Sequence, residues 1–233
     1  MSYLGSKNGA GVFQAICALM PPHDTYIEPF AGSAAILKAK AAAARSYAIE
    51  KDRKAFADLW AWACAQNQHG LLVLQADALT WLETLEIEPR HGRLLIYADP
   101  PYPLSTRTSA KRYRHDFTDR DHERLAAILQ DLSARGAKVI VSTYPCELYD
   151  RLYGERWRQR QFQAMTRGGV RTEQLWFNFA PSAVHWAEYA GDGWIDRQRI
   201  KRKAARWARM FHAMPHGERQ AVLAAIMGFR DPD

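Results

Sequence analysis

Leu94-Leu95-Ile96-Tyr97-Ala98-Asp99-Pro100-Pro101-Tyr102 reads as a buried strand that stops abruptly. Five consecutive apolar residues suit a strand covered on both faces. Pro100 and Pro101 have no backbone N–H to offer a ladder, so the strand ends before them. A carboxylate, a carbonyl and an aromatic ring are left at the strand's carboxyl end. In an open α/β sheet, ligands bind at that end. A second stretch, Glu28-Pro29-Phe30-Ala31-Gly32-Ser33, closes the run Thr25-Tyr26-Ile27 in the same way. The two turns are expected to form one site.

Working outward, strands and helices alternate. Residues 8–19 are expected to form a helix, 25–28 a strand, and the alanine-rich 34–45 a helix. A second strand is expected over 46–49, ending in Glu50, followed by a helix over 53–66 and a third strand over 71–74. After the 94–98 strand, Leu125, Ile128, Leu129 and Leu132 share a stripe of a helix over 119–135. Lys138 to Ser142 is a fifth strand, and 158–166 with 173–179 would make a closing hairpin. The pattern predicts an α/β fold: a Rossmann-like, mostly parallel sheet with a closing antiparallel hairpin.

Gly191-Asp192-Gly193 punctuates the chain, and 195–211 then reads as a basic helix. Ile200, Ala204, Trp207 and Phe211 share one stripe, while Arg199, Arg202, Arg206 and Arg209 fall opposite. Two regions are therefore expected, a main domain over 1–190 and a basic helical C-terminal extension over 191–233.

The 233 residues are 48% apolar, enough to build a full core. No apolar run is long enough to cross a membrane, and the first residues lack the charged and apolar regions of a signal peptide. Cys17, Cys64 and Cys146 are scattered without a CxxC pair, which points away from a disulfide framework or structural zinc and toward a reducing cytoplasm. His212 and His216 are separated by Pro215, so no metal is expected. Lys and Arg number 32 against 25 Asp and Glu, a net charge of +7 that favours a polyanionic partner.

In the first turn, small residues would let a ligand approach the backbone closely. No GxGxxG or GxxxxGK[ST] is present, so neither a dinucleotide nor a P-loop phosphate is indicated. Glu50, ending the second strand, is placed to accept from ribose hydroxyls. Asp77, after the third strand, could meet an adenine amino group. A helix cap or a surface charge is the plain alternative for each of these acids.

Taken together, the motifs resemble the Dam-like family of DNA adenine-N6 methyltransferases, in its small, phage-type form. Tyr3-Leu4-Gly5-Ser6-Lys7 is similar to that family's N-terminal motif, Tyr26 to Ser33 to its cofactor loop, and Asp99-Pro100-Pro101-Tyr102 to its catalytic motif. Arg112-Tyr113-Arg114-His115-Asp116-Phe117 resembles the loop that follows. The likeness runs over about residues 1–180. It implies S-adenosylmethionine as methyl donor, held by Tyr3, Lys7, Glu28, Phe30, Gly32, Ser33, Glu50, Asp77 and Asp99. Glu50 stands where the family usually has an aspartate.

The resemblance implies a site-specific methyltransferase acting on a flipped adenine in double-stranded DNA. Asp99 and the Pro100 carbonyl would accept the two N–H groups of the 6-amino group, with Pro101 and Tyr102 completing the motif and Tyr102 stacking on the base. Larger members insert a recognition domain between the third and fourth strands; here 21 residues separate Asp77 from Asp99. DNA contact is therefore expected from Arg107, Lys111, Arg112, Tyr113, Arg114 and His115, from Arg167 and Arg171, and from the four tail arginines. A monomer or weak dimer in the cytoplasm is expected, with a role in restriction-modification or phage biology. Methylation of RNA or of a glutamine amide, and a catalytically inactive DNA-binding protein, are the competing readings.

Overall fold

The computed structural model describes residues 7, 12–66, 68, 70–106, 117–166, 169–181 and 194–228. In chain order these form α1 (Val12–Leu19), β1 (Thr25–Glu28), α2 (Ala35–Ala39), β2 (Arg45–Glu50), α3 (Arg53–Ala65), β3 (Leu71–Gln75) and α4 (Ala78–Glu83). Then follow β4 (Leu94–Ala98), α5 (Asp119–Ala134), β5 (Lys138–Thr143), α6 (Glu147–Tyr153), β6 (Arg158–Thr166) and β7 (Gly169–Phe177). The helices α7 (Trp194–Ala213) and α8 (His216–Gly228) come last. Two compact units result, Met1–His185 and Trp186–Asp233.

The first unit holds a seven-stranded sheet in the order β3-β2-β1-β4-β5-β7-β6. The first five strands in that order pair in parallel, and β7 pairs antiparallel to both β5 and β6. The expected mostly parallel sheet with a closing hairpin is what forms. The chain winds outward from β1 through β2 to β3, then returns to the other side of β1 with β4. The topological switch point therefore lies between β1 and β4, whose register pairs Ile27 with Ile96. All five residues of β4 are buried.

Alternating strand residues feed two faces. Ile27, Ile49, Ile96, Val139, Val141 and Trp176 meet Leu79 and Leu82 of α4, Leu125, Leu129 and Leu132 of α5, and Tyr149 and Tyr153 of α6 in one apolar cluster. On the other side of the sheet, Ala48 and Val73 pack with Leu59 of α3 and with Ala31 and Ala34 of the first turn.

Three boundaries differ from expectation. The alanine-rich run is helical only over Ala35–Ala39, because Lys40 is already extended and Arg45 must pair with Thr25 at the start of β2. Strand pairing overrides helix propensity here. The short helices α4 and α6 form between the expected elements, each starting within four residues of a strand's end. β7 begins at Gly169 rather than at residue 173, so Arg171 is a strand residue opposite Ala164 rather than part of a turn.

Candidate active site

The two turns do come together, at the switch point. Around Asp99, chain-distant groups form one buried polar cluster. Lys7 Nζ lies 3.2 Å from Asp99 Oδ1 and 3.1 Å from Glu173 Oε2. It also donates to the Tyr102 hydroxyl. That hydroxyl donates to Glu173 Oε2 at 2.8 Å and lies 3.3 Å from Ser142 Oγ. The Asp99 side chain keeps 18% of its surface exposed, whereas Glu173 keeps 6%. Asp99 is thus the carboxylate of the pair that a substrate can reach.

The electrostatics follow from burial and charge. Burial lifts the Asp99 carboxyl to about 6, against the pull of the Lys7 cation. Burial alone would lower Lys7, but the Asp99 and Glu173 carboxylates outweigh it and hold the ammonium protonated. Burial, with Asp99 and Glu173 nearby, raises Tyr102 well above an ordinary phenol, so it stays neutral and donates.

Tyr102 corrects one expectation. Its ring is 5% exposed and meets Tyr144 edge-on at 4.5 Å, so it offers little face to a stacked base. Burial of the hydroxyl network draws it inward. Tyr144, just past β5, is only half-buried, and the Arg171 guanidinium sits 5.5 Å over its ring.

The first turn is pinned by two buried acids. The Gly32 N–H donates to Glu50 Oε2 and the Asp52 N–H to Glu50 Oε1, both at 2.7 Å. Glu50 thereby ties the turn after β1 to the end of β2. Burial raises its carboxyl despite these N–H donors. Gly32 has φ +50°, a left-handed backbone that suits glycine. Ser33 lends its carbonyl to Lys38 Nζ at 2.8 Å. Glu28 is turned into the protein: its Oε2 accepts from the Tyr26 hydroxyl at 2.7 Å and the Leu37 N–H at 3.0 Å. Phe30 is half-buried and meets Phe117 edge-on at 5.4 Å. Phe117 in turn contacts His122, whose Nδ1 lies 3.0 Å from the Tyr149 hydroxyl.

Asp77 is occupied structurally. It caps α4 by accepting from Thr80 N–H at 3.1 Å and pairs with Lys51 at 3.0 Å. These contacts outweigh its partial burial and lower its carboxyl. The helix-cap alternative thus describes what this acid does.

Of the expected DNA-contacting residues, Arg199, Arg202, Arg206 and Arg209 lie exposed on α7 and line one shallow recess with Lys203. Arg199 pairs with Asp196 at 2.7 Å. Tyr3, Arg107, Lys111, Arg112, Tyr113, Arg114, His115 and Arg167 lie outside the described residues. Among the described residues, no cluster of His, Cys, Asp and Glu could hold a metal, and no helix is long and apolar enough to cross a membrane.

Sequence reasoning missed Glu173. One signal was present: β7 carries a carboxylate just before Leu175, Trp176 and Phe177, all buried. A charge entering the core needs a partner there.

Comparison with known proteins bears on the segment that carries Asp99. Residues 82–172 match the family of D12 class N6 adenine-specific DNA methyltransferases. The D12 resemblance is shown over that segment. It spans β4, the Asp-Pro-Pro-Tyr turn, α5, β5, α6 and β6, and ends inside β7. Type II methyltransferase M.MjaIII of Methanocaldococcus jannaschii is 41% identical over 61 residues, covering 25% of this chain. The match spans only about a fifth (21%) of that relative's length. Among solved structures, precorrin 8W decarboxylase of Methanobacterium thermoautotrophicum is similar at TM-score 0.51 and 12% identity, covering 76% of this chain and 94% of that one. TrmN from Thermus thermophilus is similar at TM-score 0.49 and 18% identity, over 72% of this chain and 48% of that one. The likeness at 0.51 speaks to the fold alone. The matched segment contains β4 and the turn at its carboxyl end, beside the switch point.

Proposed function

We propose that this chain is a site-specific DNA adenine methyltransferase, acting on the 6-amino group of an adenine flipped from duplex DNA. The observation that carries the reading is Asp99. It is a partly exposed carboxylate at the switch point, compensated by a buried lysine and standing inside the D12-matched segment. The proposed arrangement assigns transfer to residues 1–190 and treats 191–233 as an extension.

The donor set fits S-adenosylmethionine. Glu50 ends β2 with its carboxylate oriented by two backbone N–H groups, and a carboxylate has lone pairs for ribose hydroxyls besides. Gly32 and Ser33 keep the neighbouring backbone open to close approach, and Phe30 supplies apolar surface. When bound, the cofactor supplies an electrophilic methyl group on a sulfonium.

The chain's own groups do the rest. The 6-amino lone pair is delocalised into the purine ring, so the amine is a weak nucleophile. Asp99 and the Pro100 carbonyl accept its two N–H bonds and draw the nitrogen toward tetrahedral geometry. Both bonds strengthen as positive charge develops on nitrogen, so they favour the transition state over the ground state. Lys7 keeps Asp99 ionised, and Tyr102 closes the cluster from beneath. No enzyme nucleophile is required, which accords with the absence of a cysteine at either turn. Extruding the base costs a few kcal/mol, to be offset by contacts elsewhere. Residues 107–115, Arg167 and Arg171, and separately the α7 arginines, carry the positive charge that a DNA backbone would meet.

The test is transfer of labelled methyl from S-adenosylmethionine to duplex DNA, RNA and protein, with the DNA then digested and searched for N6-methyladenine. Label in DNA adenine is expected. Label confined to RNA or protein would overturn the reading.

A further inference from the structure

We propose that Glu173 is a positioning residue of this site, acting through Lys7 and Tyr102 to hold Asp99 in its working arrangement. The inference rests on the reading of Asp99 as the acceptor for the substrate amine. The sequence resemblance assigns Glu173 no role; its place comes from the sheet order alone. β7 lies beside β5 with Gln174 opposite Thr143, which brings Glu173 to the end of the sheet where β4 delivers Asp99.

One oxygen of Glu173, Oε2, takes both donors of the cluster, Lys7 Nζ at 3.1 Å and the Tyr102 hydroxyl at 2.8 Å. With its side chain 6% exposed, Glu173 lies too deep to touch a substrate. A buried carboxylate without a cation is costly, and a buried ammonium has three N–H donors to satisfy. Here one ammonium sits between two carboxylates, Asp99 toward the surface and Glu173 behind it. The rear carboxylate anchors the lysine, and the anchored lysine engages Oδ1 of Asp99. Tyr102 is bound to the same anchor, so the turn that carries Asp99 is held at two points. Without Glu173, the lysine keeps one carboxylate partner instead of two, and the tyrosine hydroxyl loses the acceptor it shares with that lysine. The Asp99 carboxylate then samples orientations that do not meet the amine.

The experiment is a double-mutant cycle on the full chain: the native protein, Glu173→Gln, Lys7→Met and the double variant. Each is measured for kcat and for the KM of S-adenosylmethionine on its methyl-accepting polymer. Glu173→Gln is expected to lower kcat by about tenfold or more, with the KM changed by less than about threefold. If Glu173 acts through Lys7 as well as Tyr102, Glu173→Gln costs less in the Lys7→Met background than in the native one, because interacting sites are not additive. Losses that multiply across the cycle, or native kcat in Glu173→Gln, overturn the inference. Should Glu173→Gln fail to fold, Glu173→Asp carries the test. Its charge remains but is withdrawn by one methylene, and an unchanged kcat again overturns the proposal. A native protein that methylates RNA or protein instead of DNA sinks the DNA reading, while the cycle still decides the role of Glu173 on that substrate.

Discussion

The backbone N–H of Gly32 donates to Oε2 of Glu50 at 2.7 Å, joining the turn after β1 to the end of β2. The other oxygen of the same carboxylate takes the N–H of Asp52. One side chain therefore sets the shape of the first turn and has lone pairs to spare. In Glu50→Gln, one of the two N–H donors faces an amide NH2 instead of an oxygen. A lost hydrogen bond to a charged group costs about 1.5–3 kcal/mol. We expect S-adenosylmethionine binding, read by calorimetry, to weaken by roughly tenfold or more. Unchanged affinity would remove Glu50 from the cofactor site.

In the proposed role, Asp99 accepts an N–H bond most strongly when ionised. Burial sets its carboxyl at about 6, so the ionised fraction falls as pH drops through that value. The value of kcat/KM for methyl transfer is expected to show an acid limb centred near pH 6 and to level off above it. Asp99→Asn should lose about 10²- to 10³-fold in kcat, the scale of one removed transition-state hydrogen bond, with the circular dichroism spectrum unchanged. A flat profile between pH 5 and 8 would argue against an ionised Asp99 in the transition state.

Lys7 compensates two acids at once, Glu173 buried and Asp99 partly exposed. Removing one member of a buried pair leaves an uncompensated charge and costs about 3–5 kcal/mol. We expect Lys7→Met to lose stability on that scale in urea unfolding. The loss should be larger at pH 8 than at pH 5, because protonation of Asp99, whose carboxyl burial raises to about 6, relieves it at low pH. A loss independent of pH would point to packing rather than charge.

Glu28 behaves oppositely to a surface acid. Burial pushes its folded-state carboxyl up to about 8 from the ordinary 4.5, so the folded chain binds this proton more tightly than the unfolded one. Its contribution to stability therefore declines as pH rises from about 4.5 to 8. Glutamine is neutral throughout, and its single carbonyl oxygen can accept from Tyr26 and Leu37 as Oε2 does. The melting temperature of Glu28→Gln relative to the native protein is expected to rise steadily from pH 5 to pH 8. A constant difference would show that Glu28 does not titrate in this range.

The exposed arginines of α7 bear on nucleic-acid binding. If Arg199, Arg202, Arg206 and Arg209 meet phosphates, replacing all four by alanine should weaken duplex binding and flatten its dependence on salt. The slope of log K against log salt is expected to fall by roughly 0.9 for each phosphate that is no longer neutralised. An unchanged slope would leave these residues as a solvated helix face.

Short-range patterns carry much of the fold. The apolar run Leu94 to Ala98 and the two prolines behind it specify a buried strand with a hard stop, and β4 has those bounds. Asp119–Ala134 is legible because its leucines repeat at helical spacing. Propensity misleads where it competes with pairing: the alanines after Ala39 are good helix formers, but the chain must extend there to align Arg45 with Thr25. Glu28, Glu50 and Asp77 can be placed at strand ends from the sequence, yet not sorted. Only the contacts separate Glu28 buried against Tyr26, Glu50 pinning the first turn, and Asp77 capping α4.

The sequence by itself determined the ends of β1 and β4, the two turns and the family resemblance, because each depends on neighbours a few residues apart. The tertiary structure alone decided that both turns flank one switch point, and that Lys7, Asp99, Tyr102 and Glu173 meet in one cluster. The reason is physical. Burial and compensation of charge depend on which strands become neighbours, and the order β4-β5-β7 is set by packing the whole sheet rather than by any one stretch of it.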